Sequence, residues 1–497
     1  MTDASNAPNP PDRRLYEIAD RLFEGDALST LEGYVRIPCL SPEFDPDWEA
    51  HGHLVAAAEL LLDWMRSRPI PHLQAELVQL PGLTPVIVAE VPATPAYIDR
   101  AGGSKRHGSG ETAGAGERPV LLYGHLDKQP PLGTWREGLD PFVPVRQGDA
   151  LYGRGTADDG YSAFAAVGAL QALHECGLDH GRCVVLIEAS EESGSPHLGA
   201  YLELLAPRFG PDGPSLVVCL DSGCPTYDRL WVTTSLRGLL AAEIRVDVLS
   251  EGVHSGSAGG VVPSSFRLLR QLLSRIEDED TGAILVAECH AEAPAGRRRE
   301  AEELVAALGE GALDGFPTVP GLRLEGDDPV DRILRRTWAP ALAFVGMDGV
   351  PAVRDGGNVL RPFTTGKIAM RLPPSVDAEA AAARVALVLT NDPPSGAEVT
   401  VVAEGAKGFD APETAGWLAA AIADASAAYF GPPPGSAGEG GTIPFLSALQ
   451  EQYPTAQFLV TGVLGPESNA HGPNEMLHLP TAKRVTASVA HVLSAVP

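Results

Sequence analysis

VVLIEASEESGSP, residues 184–196, runs four apolar residues toward a core and then sets Glu188, Glu191 and Glu192 within five positions. Like charges at the tip of a buried strand repel one another and take up protons unless something positive compensates them. A solvated turn can carry such a cluster, and so can a turn that holds a permanent cation. What the chain brings to the same place decides between them. Around this run, VLLYG leads through a long loop to DGYSAFAAVGALQALHECG, and the run itself is followed by LGAYLELLAPRF and SLVVCLDSG. Short apolar strands alternating with alanine-rich helices predict a layered α/β domain with functional residues at the strand ends.

The same texture extends outward in both directions. Tyr16 to Asp26 and Leu54 to Met65 have the period of amphipathic helices, and Leu77, Ile87, Val88 and Val91 fall in strand-like stretches. AGGSKRHGSGETAGAGE, 101–117, has no apolar period and predicts an exposed excursion, which makes His107 a poor site candidate. After residue 232, GLLAAEIRVDVLS and TTGKIAMRLPPS alternate apolar and polar residues around the helical SSFRLLRQLLSRIEDE, a smaller α+β pattern. The charged stretch 290–335 predicts surface helices and loops. From 404 the larger texture returns with GWLAAAIADASAAYF, QFLVTGVL and AKRVTASVAHVLSAV. The expected organisation is a main domain over 1–232 and 404–497, interrupted by a smaller domain over 233–403.

Composition narrows the partners. The 497 residues carry 65 acidic and 37 basic side chains, a net charge of −28 without a basic block. That balance argues against a nucleic-acid backbone or an anionic membrane as partner. The first residues, MTDASNAPNPPDRR, lack the basic and apolar regions of a signal peptide, and no apolar run reaches the length of a membrane span. Cys39, Cys176, Cys183, Cys219, Cys224 and Cys289 form no CxxC pair and read as reduced thiols, in keeping with a cytoplasmic protein.

Strand ends recur as the place where chemistry gathers. YGHLD supplies His125 and Asp127, YGRGTADDG supplies Asp158 and Asp159, VVCLDSG supplies Asp221, and SNAHGPNE supplies His471. Each has an ordinary explanation: a histidine in a loop bonds locally, and an aspartate before a helix caps it. Together they are harder to dismiss, because several carboxylates at buried strand tips require a cation. Two histidines among carboxylates suit zinc or manganese better than a thiolate-bound metal.

At this point the chain resembles the M20 family of metallopeptidases, closest to its carnosine-dipeptidase-like and nonspecific-dipeptidase branch. YGHLDKQPP, YGRGTADDG, EASEESGSP, the DSG at 221–223, VHSG at 253–256, GEGGTIP at 438–444 and HGPNE at 471–475 occur in the family order. The resemblance implies a zinc-peptidase-like catalytic domain with an inserted lid and dimerisation domain, and a homodimer. It implies two divalent ions, zinc first, with manganese or cobalt as alternatives. His125 and Asp221 would bind one ion and Glu192 and His471 the other, with Asp158 bridging. Asp127 would orient His125, Glu191 would be the general base, and Glu188 would be a bystander. His254 would reach a neighbouring subunit's site to support the oxyanion. Arg371 would contact a substrate carboxylate, with Glu439, Gly440, Gly441 and Thr442 lining the pocket.

The implied reaction is hydrolysis of an amide in a dipeptide or other small peptide bearing a carboxylate. Three departures bear on the substrate. The family's DDKG is Asp158-Asp159-Gly160-Tyr161 here, the arginine before EGG is Gly438, and Glu404 stands where carnosine-type relatives have a histidine. An N-acyl-amino-acid deacylase or desuccinylase is the neighbouring alternative, and a silent binding protein on the same fold is the alternative of another class.

Overall fold

The computed structural model describes residues 10–101, 118–309, 311 and 318–497. The excursion expected over 101–117 lies outside them except for Ala101, the last residue of the helix Pro95–Ala101. The chain forms two compact units, Met1–Thr233 with Ala411–Ala437 and Ala448–Pro497, and Thr234–Asp410 with Gly438–Ser447.

The first unit is built on a six-stranded sheet ordered Gln74–Val78, Val86–Val91, Cys183–Glu188, Val120–His125, Leu216–Cys219, Gln457–Val460. The last four strands run parallel, while the first two add as an antiparallel edge. Val120–His125 and Cys183–Glu188 are buried throughout. This is why they read as unbroken apolar runs: parallel strands covered on both faces have no solvent side to mark with polar residues. Against the sheet lies Tyr161–Cys176, whose first thirteen residues are all buried, with Leu479–Ser494 and Pro10–Phe23 in the same core. Small alanines let these elements approach closely. The helix expected over 16–26 is instead two, Pro10–Phe23 and Asp26–Val35, separated at Gly25.

The second unit has a four-stranded antiparallel sheet ordered Ala341–Asp348, Phe363–Leu372, Gly238–Asp247, Glu398–Ala406. Along Gly238–Asp247 buried and less buried residues alternate, and Leu240, Ala242, Ile244 and Val246 form a core with Leu268, Leu269, Leu272, Val385 and Leu389 from two helices. The return to the main domain expected at 404 falls inside Glu398–Ala406, whose ladder on Gly238–Asp247 continues to Ala406. Gly438–Ser447 also groups with this unit. Thr442 donates to the Arg237 carbonyl at 2.5 Å and accepts from Arg371 at 2.9 Å, bonds that the local pattern of GEGGTIP does not announce.

Among the described residues no helix is long and apolar enough to cross a membrane. None of the six cysteines is in a disulfide. Stability of the first unit should depend on its central strands. Leu122→Ala, at a fully buried position, should cost about 2–5 kcal/mol in denaturant unfolding. Leu204→Ala, at an exposed helix position, should stay within about 0.5 kcal/mol of the parent.

Candidate active site

Three strand ends, one irregular turn and one loop of the first unit supply the site. His125 closes Val120–His125, beside Glu188 in the parallel register. A side chain at Gly124 would run into Ser162 and Asp159, so only glycine admits that approach. Asp158 sits in the irregular turn Thr156–Gly160, entered through Gly155 at φ +82°, where a Cβ would lie 2.6 Å from the buried Lys128 side chain. Glu191 and Glu192 open a single 3₁₀ turn after Cys183–Glu188, and Asp221 follows Leu216–Cys219 by two residues. His471 lies in a loop with its own φ at +62°.

These side chains converge. His125 Nε2 is 3.3 Å from Asp158 Oδ1 and 3.7 Å from Asp221 Oδ2. His471 Nε2 is 3.1 Å from Asp158 Oδ2 and 3.1 Å from Glu192 Oε2. Asp158 therefore turns one oxygen toward each histidine. Ligand atoms of His125, Asp158 and Glu192 lie within 4.8 Å of one another, as do those of His125, Glu191 and Asp221. His125 Nε2 and Glu192 Oε1 are buried without a hydrogen-bond partner. A neutral imidazole nitrogen and carboxylate oxygens aimed at a common space are the donors that a divalent cation such as zinc or manganese takes. The residues build a dinuclear divalent-cation site.

Electrostatics agree with that fit. Burial works to raise Asp158, but the bonds and charges of His125 and His471 overcome it and hold the carboxyl well below its usual range. His471, with 54% of its side chain exposed, is pushed up to about 11 by Asp158 and Glu192 against the opposing effect of burial. Without a cation, protons on the histidines supply the missing positive charge; metal binding would displace them. Glu191 is raised by burial first and then by the charge of Asp221. A carboxyl kept basic in this way suits proton transfer.

Residues 121–495 match the peptidase family M20/M25/M40. The chain belongs to that family. It is 28% identical over 393 residues to the cysteinylglycine-S-conjugate dipeptidase of Corynebacterium striatum, covering 76% of this chain and 81% of the relative. It is 25% identical to the Beta-Ala-His dipeptidase of Homo sapiens, over 76% of this chain and 71% of that one. Its fold is similar to that of the di-peptidase Dug1p from Saccharomyces cerevisiae, with a TM-score of 0.75 at 22% identity over 97% of this chain and 98% of the other. Human carnosine dipeptidase 1 gives a TM-score of 0.74 at 21% identity, over 98% and 100% of the two chains. The M20 fold and the paired cation site make this protein a metal-dependent peptidase acting on amide bonds.

Several side chains beside the cation ligands hold this M20 site. His125 Nδ1 bonds the backbone carbonyl of Asp127 at 3.1 Å with the Asp127 carboxylate 3.5 Å away, and that carboxylate accepts the backbone N–H groups of Glu191 at 3.1 Å and Glu192 at 3.0 Å. One carboxylate thus aligns two ligand-bearing segments. Gln129 donates to Glu192 Oε2 at 2.8 Å. Glu188, expected as a bystander, is buried and accepts from Tyr123 at 2.6 Å, Ser195 at 2.9 Å and Ser190 at 3.3 Å. It staples the turn that carries Glu191. Burial pushes its pKa up to about 7.

The largest omission is the ion pair of Arg154 and Glu475, both buried. Glu475 accepts Arg154 Nη1 at 2.7 Å, Gly155 N at 3.1 Å, Ala157 N at 3.1 Å and Asp158 N at 3.2 Å. Arg154 Nη2 donates to the carbonyls of Gly472 at 2.7 Å and Pro130 at 3.2 Å. Burial raises Glu475 and Arg154 pulls against it.

The remaining sequence candidates lie in the second unit. His254 is exposed on the short strand Val253–His254 and accepts from Gly256 N at 3.1 Å, capping the turn Ser255–Ala258. Arg371 and Thr442 are bonded to each other, Glu439, Gly440 and Gly441 precede Thr442, and Glu404 is exposed on Glu398–Ala406.

Removing one member of a buried ion pair typically costs about 3–5 kcal/mol. Glu475→Ala should therefore lower unfolding stability by about that amount. Because the pair also holds the loops of Asp158 and His471, metal titration should show affinity about 10–100-fold weaker.

Proposed function

We propose that the protein is a cytoplasmic, dinuclear dipeptidase that hydrolyses dipeptides or other small peptides bearing a free carboxylate. The carrying observation is the orphaned His125 Nε2 facing Asp158 and Asp221, with Glu191 in the same cluster. In this reading His125 and Asp221 hold one ion, Glu192 and His471 the other, and Asp158 both. Support for the bridge is that its two oxygens face different histidines. Zinc is the first expectation for this nitrogen and oxygen donor set, with manganese or cobalt as alternatives. The chemistry supplied by a bound cation pair is Lewis-acid polarisation of the scissile carbonyl and a lowered pKa for the attacking water.

The chain's own residues supply the rest. Glu191 takes the proton of the attacking water and returns one to the departing amine. Asp127 keeps His125 oriented and fixes the peptide that carries Glu191. Arg371, backed by Thr442, binds the substrate carboxylate with Glu439, Gly440 and Gly441 alongside. A panel of dipeptides and N-acyl amino acids, assayed with zinc or manganese, separates peptidase from deacylase. Hydrolysis confined to N-acyl amino acids would overturn the dipeptidase reading, whose support is the names of the two curated relatives.

The reading includes a homodimer. Ala341–Asp348 is an edge strand with Phe344, Val345 and Met347 exposed, an apolar row that a second copy of the chain would cover. His254 then acts on the partner's site as an oxyanion donor.

Glu191→Gln should keep its full complement of bound metal while turnover falls about 10²–10⁴-fold. Loss of an ion in that variant would make Glu191 a ligand instead. Chelation should abolish activity, and readdition of metal should restore it. For His254, mixed dimers of Glu191→Gln and His254→Ala chains should recover part of the activity that each homodimer lacks. Verified heterodimers as inactive as both parents would exclude action across the interface.

A further inference from the structure

The turn that carries Asp158 rests on a buried cation outside the set of ligands. Lys128, three residues past His125, is fully buried. An ammonium group has three protons to place. Here Nζ donates to the carbonyls of Tyr34 at 2.9 Å, Val35 at 3.2 Å and Ile37 at 2.8 Å. Those carbonyls lie at and just beyond the end of the helix Asp26–Val35, where unpaired acceptors and the negative end of the helix dipole favour a cation. Nζ is also 4.1 Å from the centre of the Tyr34 ring. The backbone repeats the attachment: Lys128 N donates to Cys39 O at 3.0 Å, and Ser41 N donates to Lys128 O at 3.0 Å.

The same two side chains meet the turn of Asp158. A Cβ on Gly155 would lie 2.6 Å from Lys128 Cε and 3.0 Å from the Tyr34 hydroxyl, and one on Gly160 would strike the Tyr34 ring. The Lys128 stem and the Tyr34 ring thus form a floor under both ends of Thr156–Gly160, a turn closed by Gly160 N donating to Gly155 O at 3.0 Å. Tyr34 Oη donates to Leu126 O at 2.8 Å, next to His125. Glu475 fixes the amides of this turn, whereas Lys128 and Tyr34 fill the space against its glycines. The ordinary explanation is that Lys128 only caps the helix. A capping lysine usually lays its stem along the surface and keeps its charge in water. Burial of this one pulls its pKa down, so the charge is held inside against a desolvation cost. Capping accounts for the head group and leaves the enclosed stem, pressed against Gly155, without a role.

We propose that Lys128 is a positioning residue for Asp158. It draws the end of the helix Asp26–Val35 and the Tyr34 ring under Gly155 and Gly160, and so seats the carboxylate that both histidines face. The proposal rests on the paired cation site and is independent of which amide is cleaved.

Lys128→Met keeps most of the stem and removes the charge. Calorimetric titration of the full-length, metal-stripped variant with zinc should show both ions bound about 10–100-fold more weakly than in the parent. Unchanged affinity in the folded variant would overturn the proposal. Leu418→Ala, at a buried position of the helix Gly416–Tyr429, should lower unfolding stability yet keep the parent's zinc affinity. If it loses as much zinc affinity as Lys128→Met, general softening explains both and the proposal falls. Weakening of one ion alone would uphold the seat and withdraw Asp158 from its bridging role.

The parent protein supplies a second test. If opening of residues 37–41 unseats Asp158, bound zinc must oppose that opening. Amide exchange at Ile37, Cys39, Leu40 and Ser41 should therefore slow about 10-fold on zinc loading, by the reciprocity of coupled equilibria. Unchanged exchange at these amides would overturn the proposal even if Lys128→Met does not fold.

Discussion

Arg154 and Glu475 form the contact on which the active-site half of the molecule depends. Taking two charges out of water is expensive, and their attraction repays the cost only where the remaining donors and acceptors are also satisfied. Glu475 meets that condition by accepting three backbone N–H groups of the turn at 155–158, and Arg154 does so largely by donating to carbonyls on two other loops. The charge pair thereby joins segments more than three hundred residues apart in the chain. Asp158 and His471 face each other because the backbone on either side is held by one salt bridge.

Around that frame the site gathers more negative charge than a protein interior tolerates. Asp158, Glu191, Glu192 and Asp221 surround His125, and burial raises the glutamates of this group. The histidines supply partial relief as proton carriers, and a divalent pair supplies it fully. Asp127 resolves the geometric side of the same problem. By accepting the amides of Glu191 and Glu192 it turns adjacent carboxylates to different tasks, one toward His471 and the other toward the His125–Asp221 side.

Much of this was legible in the residues. Apolar runs such as Val184–Ile187 identify covered parallel strands because nothing polar can be placed on either face, and alternation in GLLAAEIRVD identifies a sheet with one face covered. The motif order brought His125, Asp158, Glu191, Glu192, Asp221 and His471 under suspicion together, since a strand end is where a short polar segment can meet others without disturbing the core. The resemblance to M20 peptidases added roles to these positions. Glu188 was misjudged because a glutamate's letter does not say whether hydroxyls await it; Tyr123, Ser190 and Ser195 do.

Sequence by itself determined the layered α/β class, the presence of a smaller inserted unit and the cation-binding chemistry of the strand tips, because each follows from local periodicity or from donor types. Tertiary structure decided which unit owns Glu398–Ala406 and Gly438–Ser447, since hydrogen-bond ladders and side-chain bonds across distant segments leave no periodic trace. It also decided the partners of Lys128, Arg154 and Glu475. A buried charge is written with the same letter as an exposed one, and only the packed chain shows whether its counter-charge has been supplied.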